Sequence, residues 1–411
     1  MRTNLGKNFW VYRFVQIATS LGYSASSIAA MWWVLGEYHQ MIYVSYLMIP
    51  PLVISAFIQP LISPAGDRYN KKTLMINGLL IQGVGYVFAA LVFISDEMTL
   101  SLLIAFEITA TVGRVIFNTG TLGILPNLVK SENITDAVNI TDRINSSMSI
   151  IGGVIGGALV TFLGVANSFV MLSCCLGAAI VLCFFIKYIN PNSQAESKVK
   201  WLSDVKAGFS YTVKNEVVFG FFLYSLIIGL AFAPMLISFP FLIKEVSGLP
   251  PFYVGLLTSS MGLGIIIGSF IYPYVIRKIK KSTIVYLSSF LFFFALFIAG
   301  FFSGAFFIFL CQFMIGFSRN WINVTIDSLL LKSIPEKFRT RVLANLMFFS
   351  TINMPIAMLL SGFFIDILGV YNLLLMLSVL CFIAMLFIIS NKKIRFFLIA
   401  EPEEAKRLLK E

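Results

Sequence analysis

The chain runs to 411 residues, 58% of them hydrophobic and only 12% charged, with a mean hydropathy of +0.90. Soluble domains carry about 25% charged residues, so this composition excludes an ordinary soluble enzyme or binding module and specifies an integral membrane protein. The formal net charge of +11 does not indicate a nucleic-acid partner, because the basic residues gather between apolar runs.

Those runs are each long enough to cross about 30 Å of hydrocarbon. They predict helices over residues 9–36, 42–64, 73–94, 99–124, 143–163, 167–189, 217–243, 252–276, 283–302, 304–330, 342–366 and 371–390. Of the 30 Lys and Arg, Arg13, Arg114 and Arg319 fall within spans and Lys244 on the outer side. The remaining 26 (30 less these 4) sit at the N-terminus, in alternate loops or in the tail. Such a bias orients the chain with both termini cytoplasmic, and an even number of spans independently requires the termini to share a side. A multi-pass protein of the cytoplasmic (inner) membrane is expected, with no cleavable leader, because the first span is too long and lacks a small-residue cleavage site.

Span one carries Arg13 and Gln16; Arg13, near the cytoplasmic end, is expected to snorkel. His39 follows in a short outer loop and reads as a surface residue. The next cytoplasmic loop, Ser63–Thr73, holds Asp67, Arg68, Lys71 and Lys72 between two apolar stretches. A carboxylate there can accept from a helix N-terminus or pair with Arg68, tying two helix ends together; a cationic loop could also serve topology alone.

Span four contains Glu107, Arg114 and Asn118. A charge at the bilayer centre costs about 2.5–3.5 kcal/mol even on lenient scales, so it faces a cavity or a partner. Seven residues apart, Glu107 and Arg114 share a face but stand about 10.5 Å apart along the axis, too far to pair directly. Burial and a nearby cation act in opposite directions on a carboxylate, so Glu107 is the candidate proton site, with Arg114 its modulator or an anion contact. A static buried charge held by another helix is the alternative.

Span five has Gly152, Gly153, Gly156 and Gly157, and span eight Gly262, Gly264 and Gly268. Small residues let helices approach closely in lipid, either as static packing or as a surface for rocking. Between spans six and seven, residues 190–215 read as a polar linker followed by an interfacial helix with Trp201, Val205, Ala207 and Phe209 among charges. Trp32, Trp33, Tyr224, Phe232 and Phe239 are candidates for an aromatic lining. Span ten carries Arg319, Asn320, Asn323 and Asp327. The tail, 391–411, is charged around one apolar patch and predicts a short surface helix. All five cysteines fall within spans and read as packing residues; no metal cluster, nucleotide-binding loop or cofactor motif is present in the sequence, and none is expected.

The loop at 63–73 has a worn copy at Pro273–Ser282. At an offset of 209, Pro64 falls on Pro273, Arg68 on Arg277, Lys71 on Lys280, Lys72 on Lys281, Pro126 on Pro335 and Asn118 on Asp327, while Ile276 replaces Asp67. Two equivalent membrane-embedded halves are the construction of secondary transporters. The predicted domains are 1–189, a linker at 190–215, 216–390, and a tail at 391–411.

Residues 63–73 resemble the loop between helices two and three of the major facilitator superfamily. Asp67, Arg68, Lys71 and Lys72 match; Ser63 stands where the leading glycine is usual, and Gly66 where alanine is. A closer likeness, to the group holding macrolide efflux proteins and the enterobactin exporter, rests on four stretches: Asn8-Phe9 with Gln16 and Ser20-Leu21-Gly22; Leu125-Pro126-Asn127-Leu128-Val129; Asp204-Val205-Lys206-Ala207-Gly208; and residues 334–342. The resemblance implies an all-α fold of twelve transmembrane helices in two pseudo-symmetric six-helix bundles. It further implies alternating access around a central cavity, proton antiport, and a latch role for Asp67, Arg68, Lys71 and Lys72. One position departs: relatives often carry an acid after Ser-Leu-Gly, and this chain has Tyr23.

The expected function is export of an amphiphilic small molecule (an antibiotic, a siderophore or a small peptide antibiotic) by a monomer in the lipid bilayer, in exchange for protons. Gln16, Glu107, Arg114, Asn118, Arg319, Asn323 and Asp327 are the candidate path residues. An importer or lipid flippase of the same fold, or a non-transporting sensor, are the alternatives.

Overall fold

Asn70 shows why one of the long helices starts where it does. Its side chain accepts from the backbone N–H groups of Lys72 at 2.9 Å and Thr73 at 3.4 Å, satisfying donors a helix N-terminus leaves open. In the repeat, Ile279 takes the place of Asn70 (70 + 209 = 279), and the matching helix begins without a side-chain cap.

The computed structural model describes residues 5–62, 69–121, 124–130, 133–187, 210, 212–302, 304–334 and 353–400. Its long elements are all helical: α1 (Lys7–Tyr38), α2 (Met41–Ile62), α3 (Lys71–Ile94), α4 (Leu100–Thr121) and α5 (Ile134–Phe184). There follow α6 (Glu216–Phe232), α7 (Met235–Phe241, continued by a π turn, Leu242–Val246), α8 (Pro251–Val275), α9 (Lys281–Phe301) and α10 (Ala305–Ser333). The last three are α11 (Asn353–Leu368), α12 (Val370–Ser390) and α13 (Lys392–Ile399).

Among the described residues, nine stretches are long and apolar enough to cross a membrane. One of them, within α5, is two spans in one run: Gly164 takes φ 77° and ψ 176°, breaking the helix where the sequence predicts an outer turn. With α1 and the shorter apolar α11, the set is consistent with twelve crossings. The helix register follows the repeat: α1 starts at Lys7 and α6 at Glu216, and 7 + 209 = 216.

The chain divides into two compact units, Met1–Glu196 with Gly248–Ser259, and Ser197–Ser247 with Ser260–Glu411. In the first, α1 packs on α5, α3 on α4 and α5, and α2 on α4. A Cβ at Gly156 would lie 2.9–3.0 Å from the backbone of Ser24 and Ala25, and one at Gly157 would lie 2.8 Å from Pro251 O. Gly255 seats against Gly153, and Phe252 N–H donates to Thr161 Oγ1 at 2.8 Å. The glycines of span five are therefore points where backbones touch.

In the second unit, α9 packs on α10 and α12, and α12 on α6. Gly264 meets Phe313 and Phe317, Gly316 meets Met261, and Trp321 Nε1–H donates to Gly268 O at 2.8 Å. The tail helix α13 corrects the expectation of a plain surface helix. Ile394, Phe397 and Leu398 are buried, Phe397 meets Phe221 edge-on at 5.7 Å, and Lys393 pairs with Glu216 at 2.6 Å. Its apolar stripe is docked against the start of α6. The predicted interfacial helix at 201–211 lies outside the described residues, apart from residue 210.

Candidate functional site

The helices α3 and α4 approach each other along glycines spaced by seven: Gly78 and Gly85 on α3, Gly113 and Gly120 on α4. A Cβ at Gly113 would lie 2.6 Å from both Gln82 N and Gly78 O; one at Gly120 would lie 2.7 Å from Lys71 O. Seven residues are nearly two turns, so the glycines form one bare stripe per helix, and in lipid it is such close packing that holds helices together. The seam carries Tyr86, the residue after Gly85, up to the polar face of α4.

On that face Glu107 and Arg114 make no direct ion pair; the Tyr86 hydroxyl stands between them. It donates to Glu107 Oε2 at 3.5 Å and accepts from Arg114 Nη2 at 3.4 Å. Both contacts lie at the outer limit of hydrogen bonding. Tyr86 is 2% exposed. A row of rings fixes it: Phe169 lies 6.0 Å from Tyr86 and 5.0 Å from Phe93, which meets Trp33 at 5.5 Å.

The other side of Arg114 rests on Tyr23 of α1, with Cζ 3.9 Å from the ring centroid. At Tyr23 the guanidinium meets a π face, worth about 0.5–2 kcal/mol. Glu107 Oε1 and Thr111 Oγ1, one turn apart on α4, are both buried without a hydrogen-bond partner among the described residues. A buried carboxylate oxygen left without a donor carries a desolvation cost. The sequence marks Tyr23 as a departure but not Tyr86; the glycines at 78, 85, 113 and 120, seven apart on each helix, are the pattern that could have pointed to the seam beside it.

The other predicted residues are placed differently. Gln16 Nε2 donates to Tyr12 OH at 2.9 Å, and its Oε1 is buried without a partner among the described residues. Arg13 does not snorkel: it is 1% exposed, its Cζ 4.4 Å from the Tyr12 ring and 5.3 Å from that of Phe9. Asn118 lies exposed on α4, about one turn beyond Arg114 and three beyond Glu107. Asp67 and Arg68 lie outside the described residues. Lys71 opens α3, and Lys72 Nζ donates to Phe184 O at 2.8 Å and Ile186 O at 2.9 Å, closing the C-terminal end of α5 in the manner cations favour there.

In the second unit, Arg319, Asn323 and Asp327 recur every four residues along α10, the last two exposed. Arg319 Cζ stands 3.4 Å from the Phe232 ring centroid, and Asn320 Nδ2 donates to Ser269 Oγ at 3.0 Å. Two of the candidate lining aromatics are core instead. Tyr224 and Phe239 are both 0% exposed, and the Tyr224 hydroxyl lies 2.7 Å from Ser289 Oγ.

Two units of membrane-crossing helices in matching register, with ionisable residues held inside spans, define a membrane transporter of major facilitator architecture. A family model described as transmembrane secretion effector matches residues 2–405, and the chain belongs to that family. The Staphyloferrin A transporter of Staphylococcus aureus is 24% identical over 385 residues, covering 91% of this chain and 94% of that protein. The fold is that of solved transporters. The nucleoside transporter NupG superposes with a TM-score of 0.73 at 13% identity, over 94% of this chain and 99% of that one. A bacterial homologue of the lysosomal transporter Spinster, inward-facing and unoccupied, gives 0.71 at 12% identity, over 98% and 100%.

Proposed function

We propose that this protein exports an amphiphilic small molecule of the siderophore class from the cytoplasm, by alternating access, in exchange for protons. The observation that carries the reading is the Glu107–Tyr86–Arg114 group. A carboxylate inside a span, with one oxygen lacking a donor and the other joined through a hydroxyl to a guanidinium, can gain and lose a proton without leaving the helix pair. Each proton crossing 100 mV supplies about 2.3 kcal/mol, enough to concentrate a cargo. The family's description as a secretion effector and the name of the S. aureus relative favour outward movement of a chelator.

In this reading Gln16, Asn118, Asn323 and Asp327 line the path, and Asp67, Arg68, Lys71 and Lys72 hold one access state. The protein works as a monomer in the inner membrane with both termini cytoplasmic. The test uses everted membrane vesicles from cells with and without the protein, acidified inside and offered labelled siderophores and amphiphilic antibiotics. Accumulation of a siderophore that depends on the protein and collapses with a protonophore supports the proposal. Uptake only by right-side-out vesicles would reverse the direction, and accumulation indifferent to the pH gradient would remove the proton.

A further inference from the structure

Tyr23 and Phe232 are repeat mates (23 + 209 = 232), and each carries an arginine of its own unit on its ring. The two arginines are not mates. The position matching Arg114 is Asn323 (114 + 209 = 323), and Arg319 reaches the second ring from one helical turn earlier. The halves therefore keep an aromatic seat for a guanidinium by different means.

What differs is the counter-charge. Arg114 has the Tyr86 hydroxyl and, behind it, Glu107. Arg319 has a ring and no hydrogen-bond acceptor or ion-pair partner among the described residues. The described carboxylates of its unit do not supply one. Glu216 pairs with Lys393, Glu245 belongs to the π turn, Asp366 lies near the end of α11, and Asp327 is eight residues along α10, about 12 Å on the axis. Arg319 is also 14 residues from Ala305 (319 − 305), about 21 Å into the helix and near the middle of the span Ala305–Leu330. Lipid headgroups do not lie at that depth.

A guanidinium offers five donors in a planar fork that matches a carboxylate. We infer that Arg319, seated on Phe232, is a binding residue for a carboxylate of the transported molecule, so that the cargo is an organic anion. Asn323, one turn on, offers an amide to the same molecule. This rests on the export reading only for the claim that a small molecule is carried; it holds for either direction and with or without protons.

The test is binding to the purified full-length protein in nanodiscs, followed by thermal unfolding. The probe is propane-1,2,3-tricarboxylate, with its triethyl ester as the neutral match and chloride as the inorganic anion. The tricarboxylate is expected to raise the unfolding temperature of the wild type, and the ester and chloride are not. Arg319→Gln should weaken the apparent affinity about tenfold or more, and Arg319→Lys should keep part of it, showing that charge and not folding was lost. No effect of the tricarboxylate on the wild type, an equal effect of ester or chloride, or unchanged affinity in Arg319→Gln would each overturn the inference. Because no gradient or direction enters this measurement, it can fail while export stands, and export can fail while it holds.

Discussion

Glu107 and Arg114 occupy one face of α4 seven residues apart without touching, and a hydroxyl from α3 connects them: Tyr86 reaches Oε2 of one at 3.5 Å and Nη2 of the other at 3.4 Å. The connection depends on how closely the two helices lie. The glycine seam brings Tyr86 within reach, and the rings of Phe169, Phe93 and Trp33 keep its phenol from turning away.

Replacing Tyr86 by Phe removes the hydroxyl and leaves the ring row intact. A hydrogen bond to a charged group is worth about 1.5–3 kcal/mol, so transport at fixed pH should fall about tenfold or more, at unchanged expression. The pH profile of transport should also move. An unaltered profile would show that Glu107 and Arg114 act without the tyrosine.

Gly113→Val should loosen the whole group. The new side chain would meet Gln82 N and Gly78 O at 2.6 Å, backbone atoms that cannot swing aside, and overpacking of this kind costs about 1–3 kcal/mol. Thermal unfolding in detergent should shift down and transport should drop. Gly83→Ala, on the same helix but facing open space, is the control expected to behave as wild type.

Tyr23→Leu keeps an apolar side chain at the seat of Arg114 but removes its π face. The loss of about 0.5–2 kcal/mol of cation–π energy should reduce transport without affecting insertion. The unfolding temperature should fall only slightly while transport falls clearly; a large fall in both would mark a packing defect instead.

The helix set was readable from the sequence because lipid forces it: each backbone group must be satisfied within its own helix, so apolar length alone marks the spans. The repeat was readable too, since Lys7 and Glu216 open matching helices at the offset that the two basic loops share. Glu107, Arg114 and Arg319 stood out as charges inside apolar runs. Tyr86 and Phe232 did not, because one aromatic among 41 Phe and 15 Tyr carries no mark of its role. Tyr23 was legible only as a departure from the pattern the sequence resembles, and its contact with a guanidinium emerged from the structure. Gly255, the partner of Gly153, lies 102 residues away (255 − 153), and no local pattern pairs such distant positions. The docking of the tail helix was not legible for a similar reason. Its apolar patch could face lipid or protein, and only the contact with Phe221 decides between them.

The basic loop gives a further pair of expectations. Lys72→Met forfeits two hydrogen bonds to the end of α5 and should lower the unfolding temperature modestly, in line with about 1.5–3 kcal/mol per charged bond less solvent compensation. Asp67→Asn should lower the transport rate while leaving membrane insertion and unfolding temperature unchanged. Undiminished transport would remove the latch role.

The most direct test of the account compares wild type and Glu107→Gln in proteoliposomes given an inside-acid pH gradient and a labelled cargo. Wild type should concentrate the cargo against its gradient. Glu107→Gln should still exchange labelled for unlabelled cargo at a comparable rate but should concentrate none. A Glu107→Gln protein that concentrates cargo as the wild type does would contradict the assignment of the proton to this carboxylate.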